Sequence, residues 1–211
     1  MGWRRILLFG LLGLMGWIAV DLSRQPSGDI RRFDPVAVGQ LETGMWRSYY
    51  DRRPVALFRQ LAATLRAQFH LPFWQSYVAS FYASRAAFRF KDGKQRSDYE
   101  RALPDLEVYY RRILSANPNT VTVARLELEW WIIHRERATQ PAGALEMSLA
   151  ELQAAIYAVP RERLEEHAAF RARAMLLRDQ QAGQGGVTEA DWKSIEGMLV
   201  KSWSSLERAL R

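Results

Sequence analysis

Cysteine is absent from this 211-residue chain. That one absence excludes disulfides, thiolate zinc sites, haem attachment through Cys-x-x-Cys-His and processing as a lipoprotein. Histidine is scarce, with only His70, His134 and His167. A di-metal site in a helical bundle needs Glu-x-x-His pairs on two helices, so that both ligands face inward. The residues three before each histidine are Ala67, Trp131 and Leu164, which cannot serve. No two histidines lie four apart, so the helical zinc pattern is missing as well. The Gly-x-Ser-x-Gly elbow and the glycine-rich phosphate loop do not occur either. Gly183-Gln184-Gly185-Gly186 reads as a loop that ends a helix. No useful stretch alternates apolar and polar residues with period two, so strands are not expected. These readings assign no catalytic residue, no metal ligand and no cofactor.

What is present begins with an apolar run from Ile6 to Val20, preceded by Met-Gly-Trp-Arg-Arg and closed by Asp21. With Trp3 and Leu22 it approaches the ~20 residues a helix needs to cross ~30 Å of hydrocarbon. Trp3 and Trp17 are spaced to lie near the two interfaces. A cleaved signal peptide fits less well, because a cut after Ala19 puts the bulky Trp17 at the third position before it. Cuts after Gly13 or Gly16 leave a very short apolar core. Residues 1–22 therefore read as an uncleaved transmembrane signal anchor, with Trp3, Arg4, Arg5, Ile6 and Val20 as its defining residues. Arg24, Arg31 and Arg32 beyond the run balance Arg4 and Arg5, so charge alone does not orient it. A head of five residues with two arginines is expected to stay in the cytoplasm. The body is then exported, giving a single-pass protein of a bacterial inner membrane with a periplasmic domain.

Residues 23–33 are polar, contain Pro26 and Gly28, and read as a tether; residues 34–211 form one soluble helical domain. Apolar residues at 48% and charged residues at 25% are ordinary globular values, which argues against disorder. The net charge of +7 falls to +5 without Arg4 and Arg5, and arginine greatly outnumbers lysine. Such a surface suits anionic lipid or acidic partners, and no motif points to nucleic acid. Helices are expected near 35–51, 54–70, 72–91, 98–115, 121–138, 145–158, 160–181 and 189–210. Asp34-Pro35 is a strong start signal. Ser97 with Glu100, Ser148 with Glu151 and Thr188 with Asp191 have capping-box spacing. Pro104 should kink or divide its helix after the first turn. The fold class is all-α: one N-terminal transmembrane helix, then about eight helices in a compact bundle or a short helical-hairpin solenoid.

Residues 99–119 resemble the second helix of a tetratricopeptide repeat and its exit turn. Tyr99, Ala102, Leu106 and Asn117-Pro118 carry the likeness, with Trp74 and Tyr77 in the place of a first helix. Pro118 comes about one turn late, Pro104 is foreign to the repeat, and helix starts do not recur at the roughly 34-residue period of such arrays. The resemblance covers about a fifth of the chain and implies a partner-binding scaffold.

Three groups of residues stand out. Trp46, Arg47, Tyr49 and Tyr50 lie on the first helix beyond the tether, where they are placed to meet the membrane surface or an integral partner. In the helix from Pro72 an apolar stripe runs through Trp74, Tyr77, Val78, Phe81 and Phe88, and Arg85 interrupts it. A bare buried charge is prohibitively costly, so Arg85 is expected either to snorkel to the edge or to pair with Glu127 or Glu129. Trp130 and Trp131 point different ways on one helix, so that helix is expected to bury a wide arc. The function these features imply is a non-catalytic accessory or scaffold subunit, held in lipid by its N-terminal helix and docked on an integral membrane complex. A tetratricopeptide-like chaperone or translocon-associated client binder is the alternative, and an exported helical hydrolase using an acidic residue is a third.

Overall fold

The computed structural model describes every residue except Met1, Gln25, Ser27 and Ala116, together with the backbone but not the side chains of Gly2, Arg4 and Arg5. Among the described residues there are helices and no strands. The first helix, α1 (Gly2–Ser23), contains a segment, Ile6–Ser23, with mean hydropathy 2.0, long and apolar enough to cross a membrane or to act as a signal sequence. Trp3, Ile6 and Val20 are exposed, and Asp21 is the only buried residue among the helix's described side chains. The side chains of Arg4 and Arg5 lie outside the described residues.

Among the described residues nine further α-helices follow: α2 (Pro35–Tyr50), α3 (Pro54–Phe69), α4 (Phe73–Lys91), α5 (Arg96–Tyr99), α6 (Leu103–Ile113), α7 (Thr120–Arg135), α8 (Ala144–Tyr157), α9 (Glu165–Gly183) and α10 (Glu189–Leu210). Local chemistry explains most of their starts. Asp34 Oδ1 accepts the amides of Val36 (2.9 Å) and Ala37 (3.2 Å) ahead of Pro35, which satisfies donors that an open helix leaves orphaned. Thr188 and Asp191 form a complete capping box at α10. Pro104 splits the expected 98–115 helix into α5, a 3-10 turn at Glu100–Ala102 and α6. The segment resembling a tetratricopeptide helix is therefore three pieces rather than one.

Two expected capping boxes do not form. Ser97 lies inside α5, and Ser148 lies inside α8, where its hydroxyl donates to the carbonyl of Leu145 (2.9 Å). Gly143, with φ 81°, starts α8 instead. Ser-x-x-Glu spacing fits a helix interior as readily as a helix start, so spacing alone does not fix the boundary.

From α2 onward each long helix packs on the next, α4 meeting α6 across the short α5, and α10 returns onto α2. The order closes on itself, giving a bundle without the free ends of a solenoid. Gly39 allows the closing contact: a Cβ there would stand 2.9 Å from the Val200 backbone. The centre is filled by Leu65, Leu106, Leu128, Leu149, Leu164 and Leu206, each almost wholly buried. The Gln68 amide crosses it to donate to the Tyr157 hydroxyl (3.0 Å), linking α3 to α8.

Candidate functional site

The chemistry of greatest consequence lies where α1 meets α4. Pro72 precedes α4 and offers no capping side chain, so the helix's first amides need a partner from elsewhere. Asp21 supplies it from the last turn of α1: its Oδ1 accepts the amides of Trp74 (2.9 Å) and Gln75 (3.1 Å). Its charge also complements the positive end of α4. In return the Gln75 side-chain amide donates to the carbonyl of Asp21 (2.8 Å) and to that of Arg24, satisfying acceptors at the end of α1. Each helix caps the other. Around this joint Trp17 stacks on Phe73 (5.7 Å between ring centres) and meets Trp74 edge-on (5.5 Å). The Arg66 guanidinium lies over Phe73 and Tyr77 and donates to the Ser76 hydroxyl (2.9 Å).

The segment read as a tether is in contact with the body. His70, in the left-handed conformation (φ 54°) that ends α3, places Nε2 at 2.7 Å from the Arg32 carbonyl and 3.2 Å from that of Asp29. Two carbonyl partners make that nitrogen the donor. The chain passes so close that a Cβ on Gly28 would stand 2.1 Å from the His70 ring. Further on, Arg31 donates to the Tyr157 carbonyl (2.9 Å), and Phe33 meets Trp203 edge-on. Beside them Arg31, Arg32, Glu207 and Arg211 help line a groove of about 630 Å³.

Arg85 pairs with neither Glu127 nor Glu129. It reaches Asp105, in the first turn of α6, through Nε (2.9 Å) and Nη2, and Arg89 stands 2.9 Å from the other carboxylate oxygen. Asp105 is buried while both arginines keep about two-fifths of their side chains exposed, so the arginines snorkel and the acid is sheltered. Glu127 instead accepts from the Tyr110 hydroxyl (2.7 Å) and Trp131 Nε1 (2.9 Å), and Glu129 binds Arg96. Burial raises the Glu127 carboxyl above its usual range, although both hydrogen bonds oppose the shift.

The Trp46–Tyr50 group is largely engaged within the fold. Trp46 packs against the core, Arg47 pairs with Glu189 on α10, and the Arg178 guanidinium covers the Tyr50 ring at 3.1 Å from its centre. Burial pushes the Tyr50 hydroxyl up to about 12. Tyr49 alone of the four is an exposed aromatic, so the expected contact patch is reduced to one residue.

The interior holds its own polar cluster. Glu42 accepts from Arg171 (3.0 Å) and from Trp203 Nε1 (2.7 Å), and all three are wholly or mostly buried. Next to it Ser202 Oγ lies 2.8 Å from His167 Nδ1, a hydroxyl and imidazole close enough to suggest an activated nucleophile. The arrangement does not serve that purpose. His167 Nδ1 donates to the Ser202 carbonyl (2.9 Å), so this nitrogen already carries its proton, and both residues are sealed from solvent. Burial, then the nearby Arg171 charge, lowers His167 to about 3, and the Ser202 carbonyl only partly offsets this. His134 sits apart, 3.2 Å from Asp179, which also binds Arg137 and Arg178. Among the described residues no three His, Cys, Asp or Glu side chains gather to hold a metal ion.

The joint at Asp21 and Gln75 was not singled out in the sequence. The available signal was a deficit, namely that α4 follows Pro72 with no Ser, Thr, Asp or Asn in capping position. Compared with family models, curated proteins and solved structures, the chain matches none.

Proposed function

We propose that this protein is a non-catalytic helical scaffold, retained in a membrane by α1, that serves as an accessory subunit of an integral membrane complex. The observation that carries the reading is the reciprocal cap between Asp21 on α1 and Gln75 on α4. A signal sequence destined for removal has no need to complete the helix ends of the mature body. Cleavage would strip α4 of its cap and uncover the faces of Phe73 and Trp74 that Trp17 covers. The clasp of His70 on residues 29–32 supports the same reading, since it removes the slack a flexible leash would need. The body is thus presented to the bilayer in one pose, as a docking subunit requires. A cytoplasmic Arg4-Arg5 head puts that body on the periplasmic face of a bacterial inner membrane.

The test is purification of the native full chain in mild detergent, with native gels and mass analysis. Stoichiometric co-migration with one integral assembly, and an intact N-terminal mass, is the expected result. A mixture of many substoichiometric exported proteins would instead favour a client-binding chaperone. A mature chain beginning beyond Asp21 overturns the anchor.

A further inference from the structure

Between Asp51 and Asp92 the chain contains no Asp or Glu, yet it carries seven Arg and Lys residues. This acid-free stretch is the α3–α4 hairpin, and α4 is the helix on which α1 docks. On α4 the aromatic residues Phe73, Tyr77, Phe81 and Phe88 fall within about 80° of the helix circumference and span about 22 Å along its axis. Phe73, Phe81 and Phe88 are exposed, Phe88 by 62%. Arginines flank the stripe: Arg66 lies over Phe73 and Tyr77, and Arg85 over Phe81 and Tyr82. Exposed aromatics in a row mark a contact surface, and aromatic rings beside arginines suit the headgroup region of a bilayer.

We infer that this face of α4 lies on the membrane and binds an anionic lipid surface. The inference rests on the membrane reading of α1 and adds which face of the body meets the bilayer. Two observations select lipid over a protein occupant. The first is continuity: Phe73, which begins the stripe, stacks on Trp17 in the last turns of α1, so α4 starts at the depth where α1 leaves the hydrocarbon. The sector that meets α1 is the one that carries Phe81 and Phe88 onward. The second is charge. Two carboxylates meet this stretch's arginines among the described residues: Asp51, at its start, pairs with Arg53, and Asp105 on α6 faces both Arg85 and Arg89, which leaves a surplus positive charge. Among the described residues Arg59 and Arg66 have no carboxylate partner within salt-bridge distance. Anionic headgroups supply what the protein does not, each basic side chain near the surface adding to the attraction.

Because the chain lacks cysteine, single labels report on it without background. The full chain is placed in nanodiscs of phosphatidylcholine, with or without about 30% phosphatidylglycerol, a level at which surface potential matters. Fluorophores go on Ser84→Cys in the stripe, Thr122→Cys on α7 and Gly13→Cys in α1, and quenching by spin-labelled lipid is read. The expected result is quenching at Ser84 at least about threefold above Thr122 in anionic discs, falling with salt as screening requires. Phe81→Glu, at an exposed position, should abolish the excess while leaving the circular-dichroism melt unchanged. If Gly13 escapes acyl-chain quenchers, the membrane reading itself fails and this inference falls with it. If Gly13 is quenched but Ser84 matches Thr122, only the lipid-facing assignment is overturned. Shielding of Ser84 from iodide solely by an added membrane protein overturns it in favour of a protein partner. Equal quenching with and without phosphatidylglycerol overturns the requirement for anionic lipid.

Discussion

Helices α3 and α10 both pack on α2, yet the two hairpins they belong to treat charge in opposite ways. In α9–α10 several acids find basic partners within the chain: Asp179 meets Arg178, Arg137 and His134, and at the surface Glu166 meets Arg208 and Glu189 meets Arg47. The α3–α4 hairpin supplies no acid; Arg66 and Arg85 lie over aromatic rings, and Arg85 and Arg89 reach to Asp105 on another helix. Both hairpins are amphipathic, so burial of apolar surface does not distinguish them. Counter-ions do. A charge answered by a neighbour belongs to the architecture, and one left unanswered faces whatever lies outside.

The sharpest way to break the matched side is at Glu42. Glu42→Ala leaves Arg171 and the Trp203 ring nitrogen without their acceptor in the core, and removing one member of a buried pair costs about 3–5 kcal/mol. A urea midpoint measures it; a loss no larger than that of a surface substitution would erase the contrast. Acid comes next. Below its ordinary 6.5 the unfolded chain protonates His167, whereas the folded one holds out to about 3, so the unfolded state gains the protons and stability falls as pH drops through that window. Glu127 acts in the opposite sense: raised above 4.5 in the fold, it withdraws stability as pH rises through that value. Melts from pH 7 to 3 should therefore decline, more gently in His167→Asn and more steeply in Glu127→Gln. Gly39→Ala drives a Cβ into the Val200 backbone, and overpacking at the α2–α10 contact costs about 1–3 kcal/mol.

The remaining effects are smaller and local. Asp21→Ala removes a cap worth about 1 kcal/mol. It should show as faster hydrogen exchange at the amides of Trp74 and Gln75, with the global midpoint nearly unchanged. Smallest of all is Glu189→Gln. Its partner Arg47 shares an exposed surface, where ion pairs contribute little, and the melt should not move beyond error. A large drop there would show that exposed pairs, too, hold α10 in place.

Helix positions were readable because their causes are local. Asp34-Pro35, Thr188 with Asp191 and Pro104 act within one turn of themselves, and the observed ends fall close to those expected. Partner choice was not readable, because it is settled across the sequence. Arg85 required a carboxylate, but which one depends on the register of α4 against α6, and Asp105 wins because the break at Pro104 puts it in a first turn facing α4. Trp46 and Tyr50 looked available because a helix pattern does not say how many neighbours a helix has; α2 has both α3 and α10. The cap from Asp21 was hidden for the same reason, since donor and acceptor lie 53 residues apart.

Closure of the ring by α10 also sets when the molecule can exist. The Trp203 indole binds Glu42 across 161 positions of sequence, so a buried acid in α2 waits for a partner made much later in synthesis. Contacts of that separation are reached only after a long loop closes, and they slow folding. Until α10 emerges, α2 offers an open edge whose Glu42 carboxylate lacks its Trp203 donor. The nascent chain thus passes through a stage in which α1 and α2 are made and the core is not yet able to close.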